Sequence, residues 1–240
     1  MWMKVTYLYH SGFAVELEKH IFVFDYMKGK LPDWDGRKEI IFFASHKHPD
    51  HFVMDIFQWF GKYENLRYVL GSDIKLSDKY LECNGVDPCV KTVITNAGKN
   101  RTLELGDVKI ETLRSTDEGV AFIVCTEGKT IYHAGDLNWW HWEGEADSWN
   151  TQMEKDYKKE ISLIDGRHFD VAFVPLDPRL EWAYGLGMQE FLEHTDTDHV
   201  FPMHMWDDYR IIDKYKKSDK GRQYADKVME ISRPGQEYAL

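Results

Sequence analysis

Positive charge is in short supply in this 240-residue chain: 30 Lys and Arg face 41 Asp and Glu, a formal net charge of −11 at pH 7. Such a field repels polyanions, so a nucleic-acid partner would need a local basic patch, and the sequence offers none. Cysteine is scarce too. Cys83, Cys89 and Cys125 form no CxxC pair and, being 3 in number, cannot all pair internally. An odd count without a secretory leader reads as reduced thiols in a cytoplasm. The opening "MWMKVTYLYH" alternates as a strand does and lacks the apolar core of a signal peptide. No stretch reaches the ~18 uninterrupted apolar residues that a membrane helix needs, so no membrane span is expected. No linker, low-complexity tract or fixed-period repeat interrupts the chain, which reads as a single domain over residues 1–240. Ser-His and Cys-His nucleophile motifs and a phosphate-binding glycine loop are absent as well.

Apolar and aromatic residues are abundant: 43% of the chain is hydrophobic, with 9 Trp, 13 Tyr and 13 Phe, enough for a substantial core. The first half reads mainly as strands. "KVTYLYHSGFAVELEKHIFVFD" gives two or three of them, with turns at Gly12 and at Glu18-Lys19-His20. "EIIFFAS" is a short, continuously apolar run, the mark of a strand buried on both faces. "FVMDIFQWFGKY" has apolar residues at helical spacing and stops at Gly61. Two hairpins follow, "RTLELGDVKIETL" turning at Gly106-Asp107 and "VAFIVCTEGKTIYHAGD" at Glu127-Gly128. Beyond them, "WNTQMEKDYKKEISLID" is an amphipathic helix, "FDVAFVPLD" a buried strand, "MQEFLEHT" a helix and "HVFPMH" a strand, with two polar helices after it. Sheets flanked by helices imply an α/β sandwich.

The densest chemistry lies in "FFASHKHPDHFVMDIF", residues 42–57. His46 and His48 follow an apolar strand, and residues two apart in extended backbone project to one side. Pro49 holds His48 extended and then turns the chain, bringing Asp50 and His51 round beside them. Imidazole nitrogen and carboxylate oxygen are the ligands that zinc and similar divalent ions accept. A run of loop histidines on the surface is the plain alternative, but His-x-His-x-Asp-His between a buried strand and a helix points to metal. Asp136, after Gly135, and His204, after "VFPM", each sit where an apolar strand runs out. Taken alone, Asp136 is equally a turn aspartate and His204 a structural histidine.

This pattern resembles the metallo-β-lactamase superfamily, whose signature is HxHxDH after a buried strand, and the resemblance spans nearly the whole chain. It implies a four-layer αββα sandwich, with Asp25 of "VFDY" supporting the ligands, Asp136 of "IYHAGDLN" bridging two metals, and His204 of "VFPMH" completing the set. "YLYHSGF" and "FDVAFVPLD" look most like the ascorbate-6-phosphate lactonase-like branch, which puts His10 near the pocket, although a packed, hydrogen-bonded histidine fits there nearly as well. One motif departs. Where the superfamily supplies a further histidine, the chain reads "TLRSTDEGVAF", with Arg114 or Ser115 in place and Asp117 the nearest residue able to ligate. Asp117 is either a substitute ligand or a turn residue before Gly119, so the first metal position is altered while Asp50, His51, Asp136 and His204 look complete.

His133 precedes Ala134-Gly135-Asp136 and is expected to support the ligands by a hydrogen bond. In the Trp-rich "DLNWWHWEGEADSW", core burial accounts for one or two of the four tryptophans, and the loop as a whole is expected to wall a pocket through residues such as Trp139 and Trp140. The function expected is a metal-dependent hydrolase acting on a small ester, lactone or phosphoester. One or two divalent ions, zinc foremost with manganese or iron as alternatives, would activate a water held by Asp50 and Asp136. Rivals are a nuclease or phosphodiesterase of the same superfamily, which the acidic balance disfavours, a di-iron redox protein, disfavoured by His48, and a metal-binding or ligand-sensing protein without catalysis. Arg114, Arg179 and Arg210 can receive an anionic group, though a solvated surface charge is the ordinary role of such residues.

Overall fold

The apolar runs sort into two sheets. In the computed structural model, which describes residues 2–240, the chain divides into two units, one ending at Gly98 and taking back Arg233–Leu240, the other Lys99–Ser232. The first carries β1 (Lys4–Tyr9), β2 (Gly12–Glu16), β3 (His20–Phe24), β4 (Glu39–Ala44), β5 (Leu66–Gly71) and β6 (Ile94–Ala97). A last strand, β13 (Glu237–Ala239), joins the same sheet in the order β13-β1-β2-β3-β4-β5-β6. Strands β1 to β3 are antiparallel and β3 to β6 parallel. β4, the "EIIFFA" run, lies between two parallel neighbours, which is why its sequence is apolar throughout rather than alternating. Its register pairs Phe43 with both Phe24 and Val69. β3 and β4 therefore end side by side, with Asp25 just beyond one and Ser45-His46 just beyond the other. The end of an open parallel sheet is where α/β proteins place their chemistry. Behind it, Leu8, Val23, Phe42, Phe57, Tyr68 and Leu81 belong to one buried cluster.

Two local expectations change. The segment after the histidines is a 3₁₀ helix, Met54–Trp59, not an α-helix. Val53 enters it fully extended with no side-chain cap, and Phe60 N–H closes back on Phe57 C=O, so burial of Ile56 and Phe57 holds one tight turn rather than a propagating helix. β13 was not expected from the sequence. It pairs antiparallel with β1, Lys4 facing Ala239, and three residues are too few to show an alternating pattern. A short helix, α1 (Asp78–Cys83), is capped by the Ser77 hydroxyl.

The second unit carries β7 (Thr102–Leu105), β8 (Val108–Arg114), β9 (Val120–Thr126), β10 (Lys129–His133), β11 (His168–Pro175) and β12 (Asp196–Met203), ordered β12-β11-β10-β9-β8-β7. Both expected hairpins are present. Glu127 at φ 48° and Gly128 at φ 68° give the β9–β10 turn its two left-handed residues, the form that matches strand twist. β10, β11 and β12 run parallel, joined through α2 (Asp147–Ser162) and α3 (Leu186–His194). Parallel neighbours need such crossovers. Tyr157 of α2 donates its hydroxyl proton to the Gly187 carbonyl of α3 at 2.7 Å. Of the two polar helices expected near the C-terminus, α4 (Arg210–Lys217) forms, whereas the second is only a 3₁₀ turn, Gly221–Tyr224. The mixed α/β architecture with two sheets agrees with the fold class read from the sequence. All three thiols are free, and no helix among the described residues is long and apolar enough to cross a membrane.

Candidate metal centre

In the first unit the ligand candidates are organised by Asp25. Its side chain is wholly buried and its backbone adopts φ 42°, a left-handed conformation at the exit of β3. Oδ1 accepts the Ser45 N–H at 2.7 Å, and Oδ2 accepts both the Ser45 hydroxyl and His51 Nδ1 at 2.6 Å. Because the Ser45 proton goes to Asp25, Ser45 Oγ is an acceptor towards His46 Nδ1, 2.9 Å away. His46 and His51 thus both carry their proton on Nδ1, which leaves the lone pair on Nε2, the nitrogen a metal would take. The segment 46–51 bends and turns rather than staying extended, with His51 N–H and Phe52 N–H both closing on the His48 carbonyl. His46 and His48 still converge, their rings 4.5 Å apart and His46 Nε2 2.9 Å from His48 Nδ1.

His10 is drawn in more closely than the sequence indicated. It is 1% exposed, sits at φ 55° between β1 and β2, and places Nε2 3.4 Å from Asp50 Oδ2. His51 Nε2 lies 3.8 Å from the same oxygen. Ligand atoms of His10, Asp50 and His51 all fall within 4.8 Å of one another. Four ligands about 2.0–2.2 Å from a tetrahedral ion stand about 3.3–3.6 Å apart, so this spacing suits ligands around an ion better than a hydrogen-bonded pair.

The second unit repeats the design with different parts. His204, just past β12 at φ 64°, donates from Nδ1 to Asp177 Oδ2 at 2.8 Å and turns Nε2 to within 3.6 Å of Asp136 Oδ1. Asp177 is also wholly buried. Its oxygens take Arg179 N–H at 2.9 Å, Nε at 2.9 and 3.0 Å, and Nη2 at 2.5 Å. Burial pushes the Asp177 carboxyl up, but the hydrogen bonds from His204 and Arg179 outweigh it and hold the group below the ordinary carboxylate range. Asp136 stands in the turn after β10. In that turn His133 is buried and its Nδ1 accepts Gly135 N–H at 3.1 Å. His10, Asp25 and His204 each take a left-handed backbone immediately after a strand, a conformation tolerated where the surroundings over-determine it.

The tryptophan loop divides. Trp140 is buried, donates its indole N–H to the Asp136 carbonyl at 2.9 Å, and sets its ring 5.3 Å from that of His204. Trp142 stacks on Trp140 at 6.3 Å. Trp139 instead lies under the Lys158 ammonium, and Trp149 belongs to α2, where it is exposed. At the departure from the superfamily pattern, Arg114 is exposed and its N–H is shared by Asn100 and Glu160. Ser115 is buried, and Asp117 is exposed, its N–H donating to Ser115 Oγ at 3.1 Å. Thr116 donates to the Asn138 carbonyl at 2.6 Å. Sequence reasoning assigned no role to Ser45 or Asp177. The signal for Asp177 was faint: an Asp-Pro pair at a strand end reads first as a helix cap, and Asp177 does cap the 3₁₀ helix Pro178–Ala183.

No family model matches the chain. It is similar to a UPF0173 metal-dependent hydrolase of Pyrococcus furiosus, 27% identical over 219 residues and 84% of both chains. Among solved structures, the metallo-β-lactamase fold protein YhfI of Bacillus subtilis superposes over 100% of this chain and 99% of its own with a TM-score of 0.61 at 13% identity. CmlA, a diiron β-hydroxylase of Streptomyces venezuelae, superposes over 99% of this chain and 54% of its own, TM-score 0.61, at 12% identity. The chain therefore has the metallo-β-lactamase fold, and it is similar in sequence to proteins named as metal-dependent hydrolases. The likeness to CmlA shows that the fold by itself leaves the reaction and the metal open.

Proposed function

We propose that this metal-dependent hydrolase, with residues 1–240 as one metallo-β-lactamase-like domain, cleaves a small ester, lactone or phosphoester. In this reading His46, His48, Asp50, His51, Asp136 and His204 are the metal ligands, with His10 close enough to join Asp50 and His51. The observation that carries it is the shared orientation of three histidines. Nδ1 of His46, His51 and His204 is committed to Ser45, Asp25 and Asp177, so each carries its lone pair on Nε2, which in His46 faces His48 Nδ1 at 2.9 Å. A divalent ion, zinc foremost with manganese and iron as alternatives, supplies Lewis acidity and a water acidic enough to deprotonate near neutral pH. The protein's own part is to orient. Asp25 and Asp177 fix the imidazoles, Trp140 holds the Asp136 turn through its carbonyl, and Asp50 and Asp136 offer carboxylate oxygens to metal and attacking water. The lactonase-like branch is the finer reading, supported by "YLYHSGF" and "FDVAFVPLD". Reduced thiols accord with a cytoplasmic protein, and the net charge of −11 disfavours nucleic acid as substrate.

A panel of esters, lactones and phosphodiesters, assayed with metal-loaded protein and after chelation, tests this reading. Turnover of at least one class should vanish on chelation and return with zinc, manganese or iron. Turnover indifferent to chelation would overturn it. Tight metal binding with no turnover of any class would favour the sensor instead.

A further inference from the structure

We propose that Arg179 is a positioning residue of the metal centre, acting through Asp177 on His204; this rests on the reading of His204 as a ligand. An arginine at a surface normally contributes little, because both partners of an exposed ion pair stay solvated. Arg179 is different in kind. Its side chain is 48% exposed, but the carboxylate it holds is 0% exposed, and that carboxylate also accepts the His204 Nδ1 proton. Nε meets both Asp177 oxygens and Nη2 meets Oδ2, so the carboxylate is gripped by the planar edge of the guanidinium and not by a point charge.

The guanidinium is itself held. Its carbon lies 5.7 Å from the Trp142 ring and 5.0 Å from the Trp206 ring. Those rings lead back to the ligand: Trp142 stacks on Trp140, Trp140 packs at 5.3 Å against His204, and Trp206 approaches His204 edge-on at 5.9 Å. Arg179, three tryptophans, Asp177 and His204 close a circuit, so turning the guanidinium would disturb both the hydrogen bonds and the packing around His204. A buried carboxylate with a histidine N–H as its main partner would be poorly compensated. Arg179 supplies the missing positive charge and removes the carboxylate's freedom to rotate. His204 then presents Nε2 towards Asp136 at a fixed angle before any ion arrives.

Cobalt substitution in the full chain reads this out without recourse to activity. Arg179→Gln should weaken Co(II) affinity about 10–100-fold, the effect of losing a group that orients a metal-bound histidine, and should change the visible absorption of the bound ion. Where Arg179→Gln does not fold, Arg179→Lys serves: it keeps the charge but not the two-pronged grip, and should bind Co(II) with intermediate affinity and a shifted spectrum. Wild-type affinity and an unchanged spectrum in the folded variant would overturn the proposal. His204→Ala separates the two readings. If it leaves the cobalt spectrum untouched, His204 is no ligand and the site assignment itself fails, whatever Arg179 does.

Discussion

Two buried aspartates do the same task with different chemistry. Asp25 and Asp177 each follow a strand of a parallel pair, each is fully buried, and each receives the Nδ1 proton of a candidate ligand histidine. Behind Asp25 stand neutral donors, the Ser45 amide and hydroxyl. Behind Asp177 stands a cation, Arg179, half in solvent. The neutral arrangement is dry and local, and it links a second histidine, because Ser45 relays the contact to His46. The charged arrangement offsets the buried carboxylate directly but depends on aromatic packing to keep the guanidinium in place. The polar atoms of a buried carboxylate can therefore be satisfied either by converging dipoles or by one well-held countercharge, and the two should fail differently.

Removing the histidines those aspartates orient should have the largest effect. The His51→Ala, His204→Ala double variant should lose its tightly held divalent metal and all chelator-sensitive turnover, with His46→Ala losing less because the position near Arg114 is already altered. Metal analysis after gel filtration checks this, and full loading of the double variant would sink the ligand assignment. Metal removal from the wild type comes next. Carboxylates and imidazoles gathered for an ion are stabilised by binding it, worth about 2.7 kcal/mol at a hundredfold excess over Kd. For a chain of this size that is about 5–10 °C in melting temperature. A melting curve unchanged by verified chelation would mean that the cluster is stable without an ion.

The third comparison sets the aspartates against each other in metal-free protein. Asp25→Asn turns an amide N–H₂ towards donors and weakens three charge-assisted hydrogen bonds, for a cost of about 1.5–3 kcal/mol. Asp177→Asn should cost about 1 kcal/mol, since Arg179 is half in solvent where it stands and its charge stays hydrated without the carboxylate. Denaturant unfolding measures both; equal losses, or the reverse order, would show that the source of the compensating donors does not matter.

The sequence made one side of this comparison far more legible than the other. His46, His48, Asp50 and His51 are crowded into one loop after a run that could only be a buried strand, so their chemistry announces itself. Asp25 was readable only through the family resemblance. His204 needed it too, for a single histidine at a strand end is ambiguous. Asp177 was hidden because Asp-Pro-x-x is also what a helix cap looks like, and the cap is real, while Arg179 was legible only as a cation for some anionic group. His10 stayed ambiguous for a related reason: its 3.4 Å approach to Asp50 is a contact across 40 residues that no local pattern encodes. Strand-rich regions were legible where apolar runs were long, as in β9 and β11, and illegible where context decides, as in β13, whose three residues pair with the edge of β1.

The smallest effect is expected where the chain departs from the superfamily. Asp117 stands nearest the missing histidine, and as a ligand it would give that metal position an oxygen in place of a nitrogen, shifting preference towards manganese or iron. The local geometry favours the turn role. Asp117 is exposed, its N–H is tied to Ser115 Oγ, and the chain reverses at once into Gly119 at φ 70°. Thr116 of this segment makes a polar contact to the Asp136 turn, donating to the Asn138 carbonyl and accepting Asn138 N–H at 3.0 Å. Asp117→Ala should accordingly keep the wild-type number of metal ions and shift stability by no more than about 0.5 kcal/mol. Thr116→Val should do more, loosening the turn that carries Asp136 and lowering turnover at unchanged fold. Metal counting on both variants separates the roles: loss of about one ion per chain in Asp117→Ala would make the carboxylate a ligand and assign the altered position its missing donor.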